Sequence, residues 1–174
     1  MNLKSINTAR LILVPITLEI IRDLLKNSTS ELKKLGLKTD ENWPTNDTKD
    51  ILPIIYKEFE KYVVPTGFEI WMIANSDNMQ VIGDIGFKGQ PNNEGKVEIG
   101  YGLIAEERGK GYGYEALEAM VKWAFEQDKV KVIKADCLID NYPSIRILQK
   151  VGMKEVSSDK ELIYWELHNK AGVV

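Results

Sequence analysis

Three alternating glycines constrain this chain more than any other feature. They stand in "RGKGYG" (108–113), between a strand-like apolar run (96–104) and an amphipathic, helix-like stretch (114–127). Glycine is unfavourable inside either regular element, so the glycines predict a turn from strand to helix. The first N–H groups of a helix have no partner inside it, and with the helix dipole they attract anions. With Arg108 and Lys110 beside them, the turn predicts a phosphate site; the alternative is a glycine-rich turn with solvated cations.

The two best-known nucleotide loops do not fit this turn. A P-loop requires a lysine and then serine or threonine after its last glycine, whereas Tyr112 follows Gly111 here. A dinucleotide fingerprint requires a glycine where Tyr114 stands, and it requires a parallel β-α-β unit. Three strand-like runs separated by turn clusters precede the glycines instead, and they predict an antiparallel meander.

The remaining sequence predicts elements in the order β-α-α-β-β-β-α-β-α-β. Runs rich in β-branched and aromatic residues predict strands, and apolar residues at helical spacing predict helices. The predicted strands are 10–16, 68–74, 80–89, 96–104, 131–139 and 161–168, and the predicted helices are 18–27, 51–63, 114–127 and 144–151. Residues 28–50 are polar and irregular. This order predicts one α/β domain over residues 1–174, with a mixed sheet and helices on its faces.

Composition excludes several classes of function. The net charge of −3 argues against a dominant nucleic-acid-binding surface. No apolar run approaches the roughly 18 residues that a membrane span needs, and the N-terminus lacks a signal-peptide cleavage site. The single cysteine, Cys137, cannot form an internal disulfide and suits a reducing compartment. The single histidine, His168, has no partner motif for a metal. We therefore expect a cytoplasmic protein without a metal site.

Four segments resemble the GNAT acetyltransferase superfamily. "RGKGYG" resembles its R/Q-x-x-G-x-G/A loop, "EIGYGL" (98–103) its splayed fourth strand, and "NYPSIRILQKVGM" (141–153) its N-x-x-S/A-x-x-x-x-x-K-x-G-F segment. The opening "TARLILVPIT" (8–17) resembles the ribosomal-protein N-terminal acetyltransferase (RimJ/RimL-type) branch. The resemblance covers nearly the whole chain. It implies the GNAT fold (α+β), with a mixed, mostly antiparallel sheet and a splayed central strand, and direct acetyl transfer from acetyl-CoA to a primary amine.

The resemblance also implies roles for individual residues. The backbone of Leu103 and Ile104 would pair with the pantetheine arm, and the turn amides with the Arg108 side chain would hold the pyrophosphate. Asn141 would hydrogen-bond the pantetheine region, and Ser144 would lie near the sulfur. The implied cofactor-binding set is Leu103, Ile104, Arg108, Gly109, Lys110, Gly111, Tyr112, Gly113, Asn141 and Ser144.

The amine acceptor needs a group that removes its proton. An alkyl amine is mostly protonated at neutral pH, so a base beside the thioester assists the attack. Glu98 is our first choice, because it shares a strand face with Gly100 and Gly102; the alternative is a surface or cross-strand carboxylate. Glu69 and Asp84 on neighbouring strands are rival bases, and so is bulk water.

The departing thiolate and the oxyanion each need a hydrogen-bond donor. The N–H of Leu103 is a candidate for the oxyanion. Many superfamily members carry a tyrosine acid where Leu148 stands here, so Ser144 becomes the candidate donor to sulfur. Its alternative role is a helix cap, and Asn141 is likewise either a cofactor ligand or a cap.

The acceptor is the least constrained part of this reading. Gly102 replaces the tryptophan usual in the RimJ/RimL-type branch, which reshapes the acceptor side, so a ribosomal-protein substrate does not follow. We expect a protein or peptide N-terminus or a small amine, bound by the variable segment 28–50 and the 90–95 loop. A homodimer would be in keeping with the branch. The second hypothesis is a non-catalytic module that senses acyl-CoA.

Overall fold

The centre of the fold is a mixed β-sheet. The structure is a computed structural model that describes residues 3–61 and 65–169. Within these residues the strands are β1 (Ile6–Asn7), β2 (Leu11–Pro15), β3 (Ile70–Asn75), β4 (Val81–Phe87), β5 (Lys96–Leu103), β6 (Val132–Leu138), β7 (Lys154–Ser158) and β8 (Leu162–His168). The helices are α1 (Leu18–Leu25), α2 (Ser30–Lys34), α3 (Asn46–Phe59), α4 (Tyr112–Phe125) and α5 (Tyr142–Val151), with a 3-10 turn at Ala105–Glu107. The strand order is β1-β2-β3-β4-β5-β6-β8-β7.

Strands β5 and β6 separate in the middle of this sheet. They pair in parallel from Lys96–Val132 to Glu98–Lys134, whereas every other neighbouring pair among the described strands is antiparallel. Beyond Glu98, β5 pairs only with β4 and β6 only with β8. The expected mostly antiparallel sheet with a splayed central strand is therefore confirmed, and a wedge-shaped gap opens between β5 and β6.

Helices cover both faces of the sheet, as predicted. On one face, Trp123 of α4 packs against Trp71 and Phe87, and α5 lies beside α4. On the other face, α1 and α3 pack together above β2 to β4, where Thr48 of α3 reaches Asp84 of β4. We call these the α4 face and the α3 face. They differ over β5, because a Cβ on Gly100 or Gly102, which lie on the α3 face, would meet no atom of the described residues within 4 Å.

The amphipathic pattern of α4 explains how the glycine turn is anchored. Its buried side chains recur at helical spacing and belong to the central core: Ala116, Leu117, Met120, Val121 and Ala124. Burial of this stripe fixes the axis of α4 against the sheet. The first turn of α4 consequently lies at a fixed position above the end of β5.

Helix α3 differs most from its predicted bounds. α3 begins at Asn46 rather than at residue 51, because the Thr45 side chain caps it by accepting the Thr48 N–H (3.2 Å). We expected Pro53 in the first turn of this helix. It lies in the helix interior instead. The predicted end of this helix, at residues 62–63, lies outside the described residues. The predicted irregular segment 28–50 thus contains α2 and the start of α3.

Strand β7 was missed by the sequence analysis. All five of its side chains are exposed, and "KEVSS" shows no alternation of apolar and polar residues. It pairs only with β8, at the edge of the sheet. An edge strand without a buried face leaves no periodic signal in the sequence.

Candidate active site

The glycine turn has the backbone geometry that its composition predicts. Gly109 and Gly111 have φ of 75° and 86°, in the left-handed region that favours glycine. Gly111 is the N-cap of α4, which begins at Tyr112, and no side chain caps the helix. The first N–H groups of α4 are thus left for an external acceptor. Gly113 serves packing instead, since a Cβ there would lie 3.1 Å from Ile147 of α5.

Both cations of the turn have partners. The Arg108 Nε donates to the Leu103 carbonyl at the end of β5 (3.0 Å). The Lys110 ammonium pairs with Glu107 (3.0 Å). Arg108 keeps its remaining guanidinium N–H groups for an anion, because a guanidinium has five donors. Lys110 is partly neutralised and contributes less positive charge than the sequence suggests.

Arg10 braces the turn, a role that the sequence analysis did not assign. Its guanidinium donates to the Lys110 carbonyl (3.0 Å), pairs with Glu115 (2.7 Å) and lies 4.6 Å from the Tyr112 ring centre. It thereby connects the start of β2 to the first turn of α4. Arg10 belongs to the "TAR" of the N-terminal resemblance, but that motif alone does not indicate a role at a phosphate site.

The backbone of β5 alternates between its two neighbours. The Lys88 N–H donates to the Glu98 carbonyl (2.8 Å), and the Ile104 N–H donates to the Ile82 carbonyl (2.9 Å). Bonding direction alternates along a strand, so beyond the paired end of β5 the N–H groups that point into the splay are those of Tyr101 and Leu103. The Leu103 N–H is therefore open to a partner in the splay. The Ile104 N–H is already bonded to β4, so of the two residues expected to pair with the pantetheine arm only Leu103 offers its N–H.

Asn141 and Ser144 lie together at the start of α5. The Asn141 Oδ1 accepts the Ser144 N–H (3.2 Å), so Asn141 is the N-cap and Ser144 is the third residue of the helix. The alternative role of Ser144 as the cap is thus wrong. Asn141 does cap the helix, and its Nδ2 donors remain for a ligand. The Ser144 hydroxyl is likewise not needed to begin the helix.

The Tyr101 hydroxyl is buried without a hydrogen-bond partner among the described residues. Its side chain projects from β5 onto the α4 face, because Tyr101 lies opposite Ile85, which is buried on that face. Burial raises the pKa of Tyr101 to about 12, while the Ser144 side chain acts on that pKa in the opposite direction. Ser144 is therefore close, although no hydrogen bond of ordinary geometry joins the two hydroxyls.

Glu98 is held in an ion pair. It lies on the α3 face of β5 with Gly100 and Gly102, as predicted, and its carboxylate pairs with the Lys88 ammonium. Lys88 also contacts Asp136 of β6 (3.3 Å). This cross-strand cluster lies where the splay begins, and its ammonium competes with any proton that Glu98 would accept.

The rival carboxylate Glu69 stabilises a turn. Its oxygens accept hydrogen bonds from the Thr66 N–H and hydroxyl and from the Gly67 N–H, at 2.7 to 3.1 Å. These bonds fix the chain where it enters β3. The Glu69 carboxylate is thus committed to the turn that precedes β3.

The other rival, Asp84, lies beside open space. Its Oδ2 accepts hydrogen bonds from the Trp43 indole (2.9 Å) and the Thr48 hydroxyl (2.7 Å). Burial raises the pKa of Asp84, against the opposing effect of these two bonds. Asp84 pairs directly with Gly102, where a Cβ would meet no atom within 4 Å. A partly desolvated carboxylate thus borders the uncovered part of β5.

One of the two expected acceptor segments reaches this region. A cleft of about 290 Å³ separates part of segment 28–50 from the end of β5; it is lined by Glu41, Asn42, Pro44, Thr45, Asn46, Lys49, Ile104, Ala105, Glu106 and Arg108. The 90–95 loop lies at the paired end of β5 and β6, where the Lys131 N–H donates to the Gly95 carbonyl (2.8 Å). It is one strand length from the turn, so the expectation for this loop is not supported by its position.

Cys137 and His168 are accounted for without a metal. Cys137 is buried in the core, as predicted. His168 lies 3.2 Å from Glu166 at an exposed strand end. The described part of the chain holds no group of three or more His, Cys, Asp or Glu side chains placed to bind a metal ion. None of its helices is long and apolar enough to cross a membrane.

Comparison with known proteins identifies the family. The sequence profile described as "Acetyltransferase (GNAT) domain" matches residues 10–154. The chain belongs to the GNAT acetyltransferase family. The Bacillus subtilis protein named "Uncharacterized N-acetyltransferase YjdG" is 31% identical over 160 residues, which span 92% of this chain and 95% of that protein. This GNAT protein is therefore an acetyl-CoA-dependent acetyltransferase.

Solved structures agree with the GNAT fold. The ribosomal-protein-S5-alanine acetyltransferase of Vibrio fischeri superposes with a TM-score of 0.68 at 15% identity, covering 96% of this chain and 97% of that chain. The microcin C7 self-immunity acetyltransferase MccE, in complex with acetyl-CoA and AMP, superposes with a TM-score of 0.64 at 15% identity, covering 92% and 93%.

Proposed function

We propose that this GNAT protein transfers an acetyl group directly from acetyl-CoA to a primary amine, within a ternary complex. The amine belongs to a protein or peptide N-terminus or to a small molecule. One observation carries the proposal: the splay connects an uncapped helix start on one side to a carboxylate-bordered, glycine-lined surface on the other. That arrangement supports the proposal because it would suit an anionic donor at one end of the gap and a cationic acceptor at the other.

The residues of this chain suit acetyl-CoA. The turn amides at Gly109 to Gly113 and the Arg108 guanidinium would hold the pyrophosphate, with the turn kept in place by Arg10. The Leu103 N–H, which points into the splay, and the Asn141 Nδ2 group would bind the pantetheine arm. The unpartnered Tyr101 hydroxyl marks the same gap as polar. Bound acetyl-CoA supplies the activated thioester; the chain orients it and excludes water.

Asp84 is the carboxylate best supported as the proton acceptor. Burial raises its pKa toward the operating pH, which improves a base, and open space over Gly102 lies beside it. Glu98, our first choice from the sequence, stays a prediction, and its ion pair with Lys88 argues against it. Both carboxylates would attract an ammonium group to this face before its proton leaves.

Two measurements on the whole protein test the proposal. Thermal melts with acetyl-CoA, NAD and ATP compare wild type with Gly111→Glu, which puts a carboxylate into the turn. Acetyl-CoA at about 100 times its Kd should add roughly 2.7 kcal/mol, or about 5–10 °C, to the wild type alone. Release of CoA thiol is then measured with peptides, polyamines and aminoglycosides as acceptors. Thiol release with one class supports the proposal; acetyl-CoA binding without release from any acceptor contradicts it and favours the acyl-CoA sensor.

The compartment and the assembly state are proposals of the same kind. The single cysteine supports a reducing compartment such as the cytoplasm. A homodimer is expected from the resemblance, and analytical ultracentrifugation tests it. Nucleic acid and membranes are not among the expected partners, since the net charge is −3.

A further inference from the structure

We propose that the Tyr101 hydroxyl donates a hydrogen bond to the sulfur atom that leaves during acetyl transfer, beside the Ser144 hydroxyl that the sequence already placed near that atom. This inference rests on the proposed function and assigns a donor that the sequence analysis did not find. From the sequence, Tyr101 is expected to pack or, as an aromatic residue near a strand end, to line an acceptor cleft.

The position of Tyr101 carries the inference. Tyr101 belongs to β5. Its ring lies beneath the start of α4, since a Cβ on Gly113 would be 3.9 Å from the ring. Against the effect of burial, the Ser144 hydroxyl on α5 lowers the pKa of Tyr101, whereas the charge of Cys137 on β6 raises it, so both groups lie near the phenol oxygen. The phenol therefore extends from one side of the splay toward the elements on its other side. A sulfur atom held between β5 and β6 would lie next to it.

The missing partner of the hydroxyl is the second observation. Buried polar groups in folded proteins almost always have a hydrogen-bond partner, and an unpaired one is unfavourable. The Tyr101 hydroxyl is buried and unpaired within the described residues, although Ser144 is near. A ligand atom in the splay would complete its hydrogen bonding.

The leucine at position 148 explains why the leaving sulfur would need a donor from elsewhere. Many superfamily members place a tyrosine at this position, and here Leu148 is buried in the core and has no donor. Ser144 lies about one helical turn earlier in α5, on the same side of the helix. A hydroxyl from β5 and a hydroxyl from α5 would then replace the one that Leu148 lacks.

The chemistry requires a donor of hydrogen bonds rather than of protons. When the amine nitrogen bonds to the acetyl carbon, the carbon–sulfur bond breaks and sulfur keeps the electron pair as a thiolate. The surplus proton on nitrogen goes to the carboxylate or to water. A thiol has a pKa of roughly 8.5, below the value of about 12 for Tyr101, so the phenol keeps its proton while it stabilises the thiolate.

Binding of CoA and desulfo-CoA to the whole protein tests the inference apart from turnover. Desulfo-CoA lacks only the sulfur atom. In Tyr101→Phe, we expect the Kd for CoA at alkaline pH to rise about tenfold, since a hydrogen bond to a charged group is lost, while the Kd for desulfo-CoA stays unchanged. Titration of the thiolate absorbance of bound CoA should show a thiol pKa higher by about one unit, which equals that tenfold change.

A purely structural role predicts the opposite pattern. Removing an unpaired hydroxyl should leave the melting temperature of the free protein equal or higher, whereas a structural hydroxyl would lower it. Equal weakening of CoA and desulfo-CoA overturns the inference, and so does an unchanged thiol pKa. Tyr56→Phe, which removes a phenol hydroxyl on α3, is the matched control and should change neither ligand's Kd. Ser144→Ala should raise the thiol pKa in the same direction as Tyr101→Phe.

Different results would overturn the role of Tyr101 and the proposed acetyl transfer to an amine. If wild type binds CoA and releases thiol with an amine, but Tyr101→Phe binds CoA and desulfo-CoA as wild type does, only the role of Tyr101 is wrong. If wild type binds CoA with the expected sulfur dependence yet acetylates no acceptor, the proposed function fails and the donor assignment stands. If wild type binds neither ligand, both fail.

Discussion

At the scale of single residues, two carboxylates on one sheet face are distinguished by their neighbours. Glu98 is neutralised by Lys88, whereas Asp84 is surrounded by neutral donors and borders open space. We therefore expect Asp84→Asn to lower kcat about 100-fold, the range for loss of a general base, and Glu98→Gln to change it less than threefold. Steady-state thiol release with one acceptor measures both. A larger loss in Glu98→Gln would return the base to Glu98.

The raised pKa of Asp84 also links this residue to stability. Folding raises the pKa, so the folded protein binds this proton more tightly than the unfolded chain does. The corresponding stabilisation is complete below the unfolded pKa, about 3.9, and is lost as pH rises through the folded pKa. Asp84→Asn removes the cost of the buried charge while an amide oxygen can still accept from Trp43 and Thr48.

The expected result is a more stable but slower enzyme. At neutral pH, Asp84→Asn should raise the free energy of unfolding by on the order of 1 kcal/mol, and Tm by about 2–4 °C. The difference should shrink as the solution is acidified toward pH 4. Thermal melts across this pH range measure it. A variant that is less stable at neutral pH would mean that the ionised carboxylate is a net stabilising acceptor for its two donors.

At the scale of elements, the sequence specified the glycine turn better than it specified the segment beside it. Alternating glycines after a strand dictate left-handed positions and an open helix start, which the structure contains at Gly109 and Gly111. Thr45, in contrast, was assigned to a loop signal in "ENWPTND", although it caps α3. The packing of Trp43 and Thr48 on Asp84 decided where that helix begins, and such a contact leaves no local pattern.

Gly109 and Gly89 have similar backbone conformations, so substituting each of them distinguishes an effect on ligand binding from an effect on stability. Gly109 and Gly89 both have left-handed φ, 75° and 95°, and a Cβ at either would meet no atom within 4 Å. Alanine should therefore cost each site about 1–2 kcal/mol by backbone strain alone. We expect Gly109→Ala to weaken acetyl-CoA binding at least tenfold, because its Cβ obstructs close approach of a phosphate to the turn, and Gly89→Ala to bind as wild type does.

Calorimetric titration with acetyl-CoA, together with melts of the free variants, measures this pair. Similar losses of Tm, with loss of affinity only in Gly109→Ala, are the expected combination. If both variants keep wild-type affinity, the backbone at position 109 does not approach the ligand and the phosphate site lies elsewhere.

At the scale of the whole molecule, the resemblance predicted the separation of β5 from β6 but did not predict the cleft beside the end of β5. The order of strands and the "EIGYGL" segment predicted where β5 parts from β6, and the sheet has that topology. The cleft forms where α3 and the chain before it meet the end of β5, which are distant in sequence. Its shape depends on tertiary packing of residues that carry no motif, so sequence reasoning could name the segment but not its contacts.

We expect Gly102 to determine how much space an acceptor finds beside Asp84. The position lies on the uncovered α3 face, directly across from Asp84, and its backbone is not left-handed, so a larger residue can be accommodated. We expect Gly102→Trp to fold, to bind acetyl-CoA with unchanged affinity, and to raise KM for bulky acceptors at least tenfold while small amines are affected less. The physical reason is that the indole would fill space beside Asp84 without touching the glycine turn.

Matched kinetics with a large and a small acceptor test this role of Gly102. Gly100→Ala, also in open space on the same strand face, is the control, because one methyl group there leaves most of the volume free. A Gly102→Trp enzyme with wild-type KM for every acceptor would mean that amines approach from another side of the sheet. Equal loss for all acceptors, with normal acetyl-CoA binding, would place the indole over the reacting amine itself.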